Sequence, residues 1–164
     1  MDKNAKIDFL KKLPMFVSLN EGELTQLAEH AHFRTAPRYH FVFVPDEAAE
    51  HLYFLVQGRV KTGTFSSEGR EIIKELISPQ SLFGDLALAG EEMRSEFAQS
   101  LNDGAEYLII KLVDFQQLMQ DNQRLVFACM HHISQRLQRV EERLANLVVK
   151  DARERIIEFL LETA

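Results

Sequence analysis

The chain has 164 residues, 46% of them hydrophobic, which is room for one domain of ordinary size plus an appended element and argues against disorder. Its formal net charge of −6 argues against these residues gripping nucleic acid themselves, because phosphate contacts need clustered Lys and Arg. No apolar run approaches the ~18 residues of a membrane span. The charged opening Met1-Asp2-Lys3-Asn4 also lacks the apolar core of a signal peptide, so a cytoplasmic protein with no membrane partner is expected.

Residues 5–31 read as helical. Ile7, Leu10 and Leu13 form an apolar stripe that Pro14 interrupts, and Asn20 with Glu23 has the form of a capping box ahead of Leu24, Leu27 and Ala28. From Phe33 to Ile110 the period shifts towards two. Phe41/Phe43, Leu52/Phe54/Val56, Val60/Thr62/Thr64 and Ile72/Lys74/Leu76 read as short strands. Strand ends are expected at Pro45-Asp46, Gln57-Gly58, Glu68-Gly69, Ser78-Pro79 and Asn102-Asp103-Gly104. About seven or eight short strands at such spacing suggest an antiparallel roll or barrel.

Between strands and helices lies Ser81-Leu82-Phe83-Gly84-Asp85-Leu86-Ala87-Leu88-Ala89-Gly90-Glu91-Glu92-Met93-Arg94-Ser95. These groups suit a sugar phosphate. Gly84 lets backbone N–H groups approach an anion closely, and the turn of helix from Leu86 to Ala89 points its N-terminus at negative charge. Arg94 offers a planar fork of donors, Ser95 a hydroxyl, and Asp85 an acceptor for a ribose hydroxyl. The bland alternative is a strand-to-helix corner with a surface arginine.

Asp114 is the expected N-cap of a helical segment that runs to the end with one break, at Lys150-Asp151. Val126, Met130, Ile133, Leu137, Val140, Leu144 and Leu147 alternate spacings of four and three, the pattern of a two-helix coiled coil. Arg136 falls at g and Glu141 at e, where they can pair across a parallel dimer. Asp151 would cap a further helix from Ala152 to Leu161, with Ile156, Ile157, Leu160 and Leu161 apolar.

Other chemistry is sparse. His131 and His132 are adjacent on a helix and diverge by about 100°, so one metal cannot easily take both. His30-Ala31-His32 has the look of a cupin metal fragment, but His40 and His51 stand at spacings that do not complete it. The lone Cys129 excludes an internal disulfide and a cysteine-ligated cluster, and reads as a packed small residue. With no Walker loop, nucleophile elbow or HExxH, neither an enzyme nor a metal site is expected.

Phe83-Gly84-Asp85-Leu86-Ala87-Leu88 followed by Arg94-Ser95 resembles the phosphate-binding cassette of cyclic-nucleotide-binding domains, which usually carry Phe-Gly-Glu-Leu-Ala-Leu and then Arg-Ser/Thr-Ala. Leu52-Tyr53-Phe54-Leu55-Val56-Gln57-Gly58-Arg59-Val60 resembles that family's strand, glycine turn and second strand. Leu13-Pro14-Met15-Phe16 with Leu19-Asn20-Glu21-Gly22-Glu23-Leu24 resembles its N-terminal helical opening. With the heptad seam, the whole is most similar to the Crp/Fnr family of bacterial transcription regulators.

The resemblance implies a mixed α+β fold: an antiparallel β-roll of the double-stranded β-helix (jelly-roll) kind, N-terminal helices, and a long C-terminal dimerisation helix. Residues 1–121 would form the cyclic-nucleotide-binding-like domain, 122–150 the dimerisation helix, and 151–164 a hinge and the first helix of a DNA-binding winged-helix domain. Gly84 and Ser95 would hydrogen-bond the cyclic phosphate, Arg94 would pair with it, Asp85 would hold the ribose 2′-hydroxyl, and Leu86 would belong to the same ligand-binding set. A cyclic nucleotide such as cyclic AMP, or another small effector, is the implied ligand. A second copy of the chain, DNA through the C-terminal domain, and RNA polymerase are the implied partners.

Three departures bear on the ligand. Asp85 is one methylene shorter than the family's Glu, and Glu96 replaces Ala, placing negative charge beside a bound phosphate at a cost of order 1 kcal/mol if partly buried. Glu91 and Glu92 add acidity from a loop, where they are expected to point to water. Val140 and Glu141 align with the Thr-Ser hydroxyls that hold adenine in the family's cyclic AMP receptors, and Asn146 is the nearest amide. Adenine held in that manner is therefore not expected. A regulatory module of another signalling protein is the alternative reading, and a cupin-like metal enzyme the third.

Overall fold

In the computed structural model, which describes the backbone of residues 3–162 and the side chains of residues 3–147, the chain divides after Leu125 into two units. The first opens with α1 (Lys3–Leu10), a 3-10 turn (Pro14–Phe16) and α2 (Glu21–His30). Proline suits the start of the 3-10 turn because it has no N–H to leave unpaired there. The expected capping box forms: Asn20 Oδ1 accepts from the Glu23 N–H at 3.0 Å, and the Glu23 carboxylate accepts from the Asn20 N–H at 2.7 Å. Leu24, Leu27 and Ala28, three and four apart, form the buried face of α2.

The strands are β1 (Ala31–Ala36), β2 (Phe41–Phe43), β3 (His51–Phe65), β4 (Glu71–Ile77), β5 (Leu82–Phe83) and β6 (Phe97–Lys111). All pairings are antiparallel, in the order β1-β6-β3-β4, with β2 also on β6 and β5 also on β3. The mixed α+β, antiparallel architecture is thus as the sequence implies, but two expected strand ends are absent. Gln57-Gly58 and Asn102-Asp103-Gly104 lie inside β3 and β6, which are 15 residues each and pair along their length with two register shifts. The ladder bends where Gly58 faces Ala105. Gly58 has φ 85°, and a Cβ there would stand 2.2 Å from the Gly104 carbonyl oxygen, so no other residue fits without moving the partner strand. A glycine at such a position reads as a turn in sequence, whereas hydrogen bonding resumes past it.

Tyr53 and Leu55 of β3 join Phe43, Val60, Ile77, Phe83, Ala98 and Tyr107 in one buried cluster. Phe54, between them and so on the opposite face, meets Phe16 at 5.2 Å and Phe115 at 6.4 Å between ring centroids. Residues 52–55 are therefore buried on both faces of the strand, which is why they are continuously apolar instead of alternating.

Helix α3 (Leu112–Asp121) follows β6 directly and buries Phe115 and Leu118. Its N-cap is Lys111, with extended backbone and no side-chain cap; Asp114, the expected cap, lies in the first turn instead, where a carboxylate is favoured by the helix dipole. The chain leaves helical geometry at Asn122, with φ −133° and ψ 92°. Helix α4 (Gln123–Glu162) then runs 40 residues. Asn122 Oδ1 accepts from the Leu125 N–H at 3.1 Å, and Asn122 Nδ2 donates to Glu23 Oε1 at 2.6 Å. One carboxylate thus ties the starts of α2 and α4 together.

The break expected at Lys150-Asp151 does not occur, since α4 passes through it. Neither glycine nor proline stands there, and Lys and Asp are both tolerated inside a helix. The side chains of Asp151, Ile156, Ile157, Leu160 and Leu161 lie outside the described residues.

Replacing Asn122 with Ala removes a cap and leaves Glu23 short of a donor. The expected loss is about 1–2 kcal/mol, read as a fall of roughly 2–8 °C in melting temperature by circular dichroism. A melting curve that overlays the parent would show that the cap does not stabilise the fold.

Candidate functional site

Phe83 of β5 pairs with Tyr53 of β3, and the next residue, Gly84, turns the chain away from the sheet. Gly84 has φ 71° and ψ 21°; a Cβ would lie 2.9 Å from the Tyr53 ring and 3.1 Å from Arg94 Nη1. Both the backbone conformation and the closeness of these groups require glycine. Asp85–Ala89 form one short 3-10 helix in which Asp85 and Ala87 are buried. Gly90, with φ 93°, ends it, and the N–H groups of Gly90 and Glu91 reach back to Ala87 and Leu86.

The segment after this helix is stitched to residues 46–49. Arg94 N–H donates to the Glu47 carbonyl at 2.7 Å, Asp46 N–H to the Arg94 carbonyl at 2.9 Å, and Ala49 N–H to the Glu92 carbonyl at 2.9 Å. These bonds aim the Arg94 side chain inward, leaving the residue only 2% exposed. Nη1 donates to the Gly84 carbonyl at 2.9 Å and Nη2 to the His51 carbonyl. The guanidinium lies 4.4 Å from the centroid of the Phe43 ring and 5.6 Å from that of Tyr53. The surface-arginine alternative is therefore wrong: Arg94 is a buried cation that joins β3 to the Gly84 turn. Its Nε is buried with no hydrogen-bond partner. Burial, with Arg94 nearby adding to it, holds the His51 imidazole below its ordinary range.

Ser95 is exposed, and both of its donors are turned to one carboxylate. Glu91 Oε1 accepts from the Ser95 N–H at 2.8 Å and from the Ser95 hydroxyl at 2.5 Å, while Glu91 Oε2 lies 3.8 Å from Arg94 Nη1. Glu91 does not point to water as expected of a loop residue, although Glu92 does. Glu96 is 1% exposed, and its carboxylate lies 3.5 Å from Lys74 Nζ of β4. The structure thus brings Gly84, Asp85, Arg94 and Ser95 into one neighbourhood, with Leu86 half-buried beside them. Sequence reasoning missed Lys74, His51 and the inward turn of Glu91. The one available signal for Lys74 was its polar side chain within an otherwise apolar strand pattern.

In the second unit, Met130, Ile133, Leu137, Val140, Leu144 and Leu147 are exposed along α4, and Val126 is half-buried. The seam spacing is therefore carried on a helix, with its apolar face uncovered in a single chain. Cys129 is buried, and burial pushes its thiol up to about 11. His30 faces Asp114 at 3.3 Å. Among the described residues no three His, Cys, Asp or Glu side chains converge in a way that could hold a metal ion.

A family model described as the cyclic nucleotide-binding domain matches residues 33–122. A CRP-like cAMP-activated global transcriptional regulator of Mycobacterium tuberculosis is 23% identical over 157 residues, covering 96% of this chain and 70% of the relative. The cAMP-activated global transcriptional regulator CRP of Pasteurella multocida is 29% identical over 136 residues, covering 82% of this chain and 65% of its own length. These relatives are regulators, not enzymes. The sensor domain of the transcriptional regulator DNR from Pseudomonas aeruginosa shares the fold, with a TM-score of 0.75, 23% identity, and coverage of 85% of this chain and 94% of that one.

Arg94→Ala strands the buried Gly84 carbonyl and the part-buried His51 carbonyl and empties the space against Phe43, so a loss of roughly 3 kcal/mol is expected by urea unfolding, with Arg94→Lys restoring only part. A loss below about 1 kcal/mol would mean the arginine is not structural. Cys129 is expected to be inert to Ellman's reagent at neutral pH and to react fully once the chain is unfolded; native labelling within minutes would contradict its burial.

Proposed function

This chain belongs to the cyclic nucleotide-binding domain family, and we propose that it is the effector-sensing and dimerisation part of a bacterial DNA-binding transcription regulator of Crp/Fnr type. The observation that carries the reading is the juxtaposition of Gly84, Asp85, Arg94 and Ser95 in a chain whose next long helix exposes a heptad seam. A small effector, with a cyclic nucleotide first among candidates, meets the Ser95 hydroxyl and N–H through its phosphate and Asp85 through its ribose. Arg94, already bonded to Gly84 and His51, supplies fixed positive charge from beneath rather than an open fork.

Residues 122–150 act as the dimerisation helix, with Leu137 and Leu144 at the centre of a seam shared with a second copy. Residues 1–121 form the sensor and 151–164 lead to the DNA-binding domain. Because the chain's own charge is −6, contact with DNA falls to sequence beyond these residues, consistent with relatives of which it spans 65–70%. RNA polymerase is then met by the dimer on DNA. A ligand preferring one arrangement of the cassette shifts the population of helix-pair geometries and so reorients the DNA-binding domains. A cytoplasmic location fits this role, and no described helix is long and apolar enough to cross a membrane.

Two measurements test the reading. Light scattering is expected to give a dimer that Leu137→Lys with Leu144→Lys converts to a monomer; a dimer that survives both changes rules out the seam. Calorimetric titration with cyclic AMP and then cyclic GMP is expected to show binding that Ser95→Ala weakens about tenfold, near 1.4 kcal/mol. Silence at millimolar ligand would reject the cyclic nucleotide as effector.

A further inference from the structure

The donors at Ser95 already face an anion, and the chain itself supplies it. Glu91 places Oε1 on both the N–H and the hydroxyl of Ser95, at 2.8 and 2.5 Å, and Oε2 3.8 Å from the Arg94 guanidinium. Two oxygens of one planar group, bridging a main-chain N–H, a hydroxyl and an arginine, copy what two oxygens of a phosphate would present to the same donors. The Glu91 side chain is 13% exposed, and its Oε2 is buried without a hydrogen-bond partner. An acidic side chain free to hydrate in a surface loop has been turned inward instead.

The backbone holds it there. Gly90 in the left-handed region ends the 3-10 helix, and the Glu91 N–H bonds back to the Leu86 carbonyl at 3.3 Å. On the other side, Glu92 and Arg94 are bonded to Ala49, Asp46 and Glu47. Glu91 therefore sits in a short loop pinned at both ends, with Ser95 four residues on. A carboxylate tethered so closely meets Ser95 at an effective concentration of millimolar order or higher.

We propose that Glu91 is an intramolecular occupant of the anion cradle, which a ligand phosphate must displace in order to bind. This rests on reading the cassette as an effector site. A cyclic phosphate carries one negative charge, as the carboxylate does, so it gains no electrostatic advantage in the exchange. Ligands whose affinity depends on the phosphate alone are excluded, and those that also engage other parts of the pocket are admitted. Glu91 thereby sets both the affinity and the selectivity of the site.

The test is calorimetric titration of the full 164-residue chain with cyclic AMP and cyclic GMP, comparing the parent with Glu91→Gln and Glu91→Ala. Glutamine keeps the size and removes the charge, which guards against a loop that misfolds in the alanine variant. The expected result is a gain in affinity of about tenfold or more in both variants, a direction that damage to the site could not produce. If the parent binds and the variants bind equally or more weakly, Glu91 supports the site rather than filling it, and this proposal fails alone. If neither the parent nor either variant responds at millimolar nucleotide, the cyclic nucleotide reading fails and takes this proposal with it.

Discussion

A guanidinium removed from water is the constraint on which the cassette region depends. A buried cation is tolerated only when its donors are engaged and charge or aromatic faces lie close. Arg94 meets most of that demand through the carbonyls of Gly84 and His51, the Phe43 and Tyr53 rings, and the nearby Glu91 carboxylate, with Nε left without a hydrogen-bond partner. These partners come from four parts of the chain, His51 and Tyr53 sharing the start of β3. The arginine therefore joins the end of β5, the start of β3 and the loop at residues 90–95 in one arrangement, and a side chain at Gly84 would crowd both the Tyr53 ring and the guanidinium.

That arrangement is carried on the long β3–β6 ladder. Tyr53 and the His51 carbonyl lie near one end of β3, and the strand stays paired with β6 past Gly58 to Gly63. Alternation along β3 lets the same strand contribute both to the face beneath the N-terminal aromatics, through Phe54, and to the enclosed core around Tyr53 and Tyr107.

The electrostatics around the cassette are more acidic than the family pattern implies. Arg94 and Lys74 stand among Asp85, Glu91 and Glu96. The Lys74–Glu96 pair relieves the like charge that Glu96 alone would impose on a bound phosphate, while Glu91 competes for the donors themselves. Substitutions at exposed or half-exposed positions such as Glu91 and Ser95 would retune the proposed anion cradle without altering the strands beneath it, because those residues lie in the loop that follows the 3-10 helix.

Local rules in the sequence determined the capping box at Asn20 and Glu23, the strand character of β2, β4 and parts of β3, the heptad spacing of α4 and the grouping of glycine, carboxylate, arginine and serine. All of these depend on neighbours within a few residues, where propensity and periodicity act. Tertiary structure alone decided that Gly58 and Gly104 lie inside strands instead of ending them, because the constraint is set between residues distant in sequence: a Cβ on Gly58 would stand 2.2 Å from the Gly104 carbonyl oxygen. It also decided that Asn122, at the expected start of the long helix, reaches Glu23 across 99 residues and ties α4 to α2. Arg94 faces inward, and Glu91 follows it onto Ser95, for the same reason. The direction of a charged side chain depends on which carbonyls and rings are present to receive it, and those are assembled only when the chain has folded.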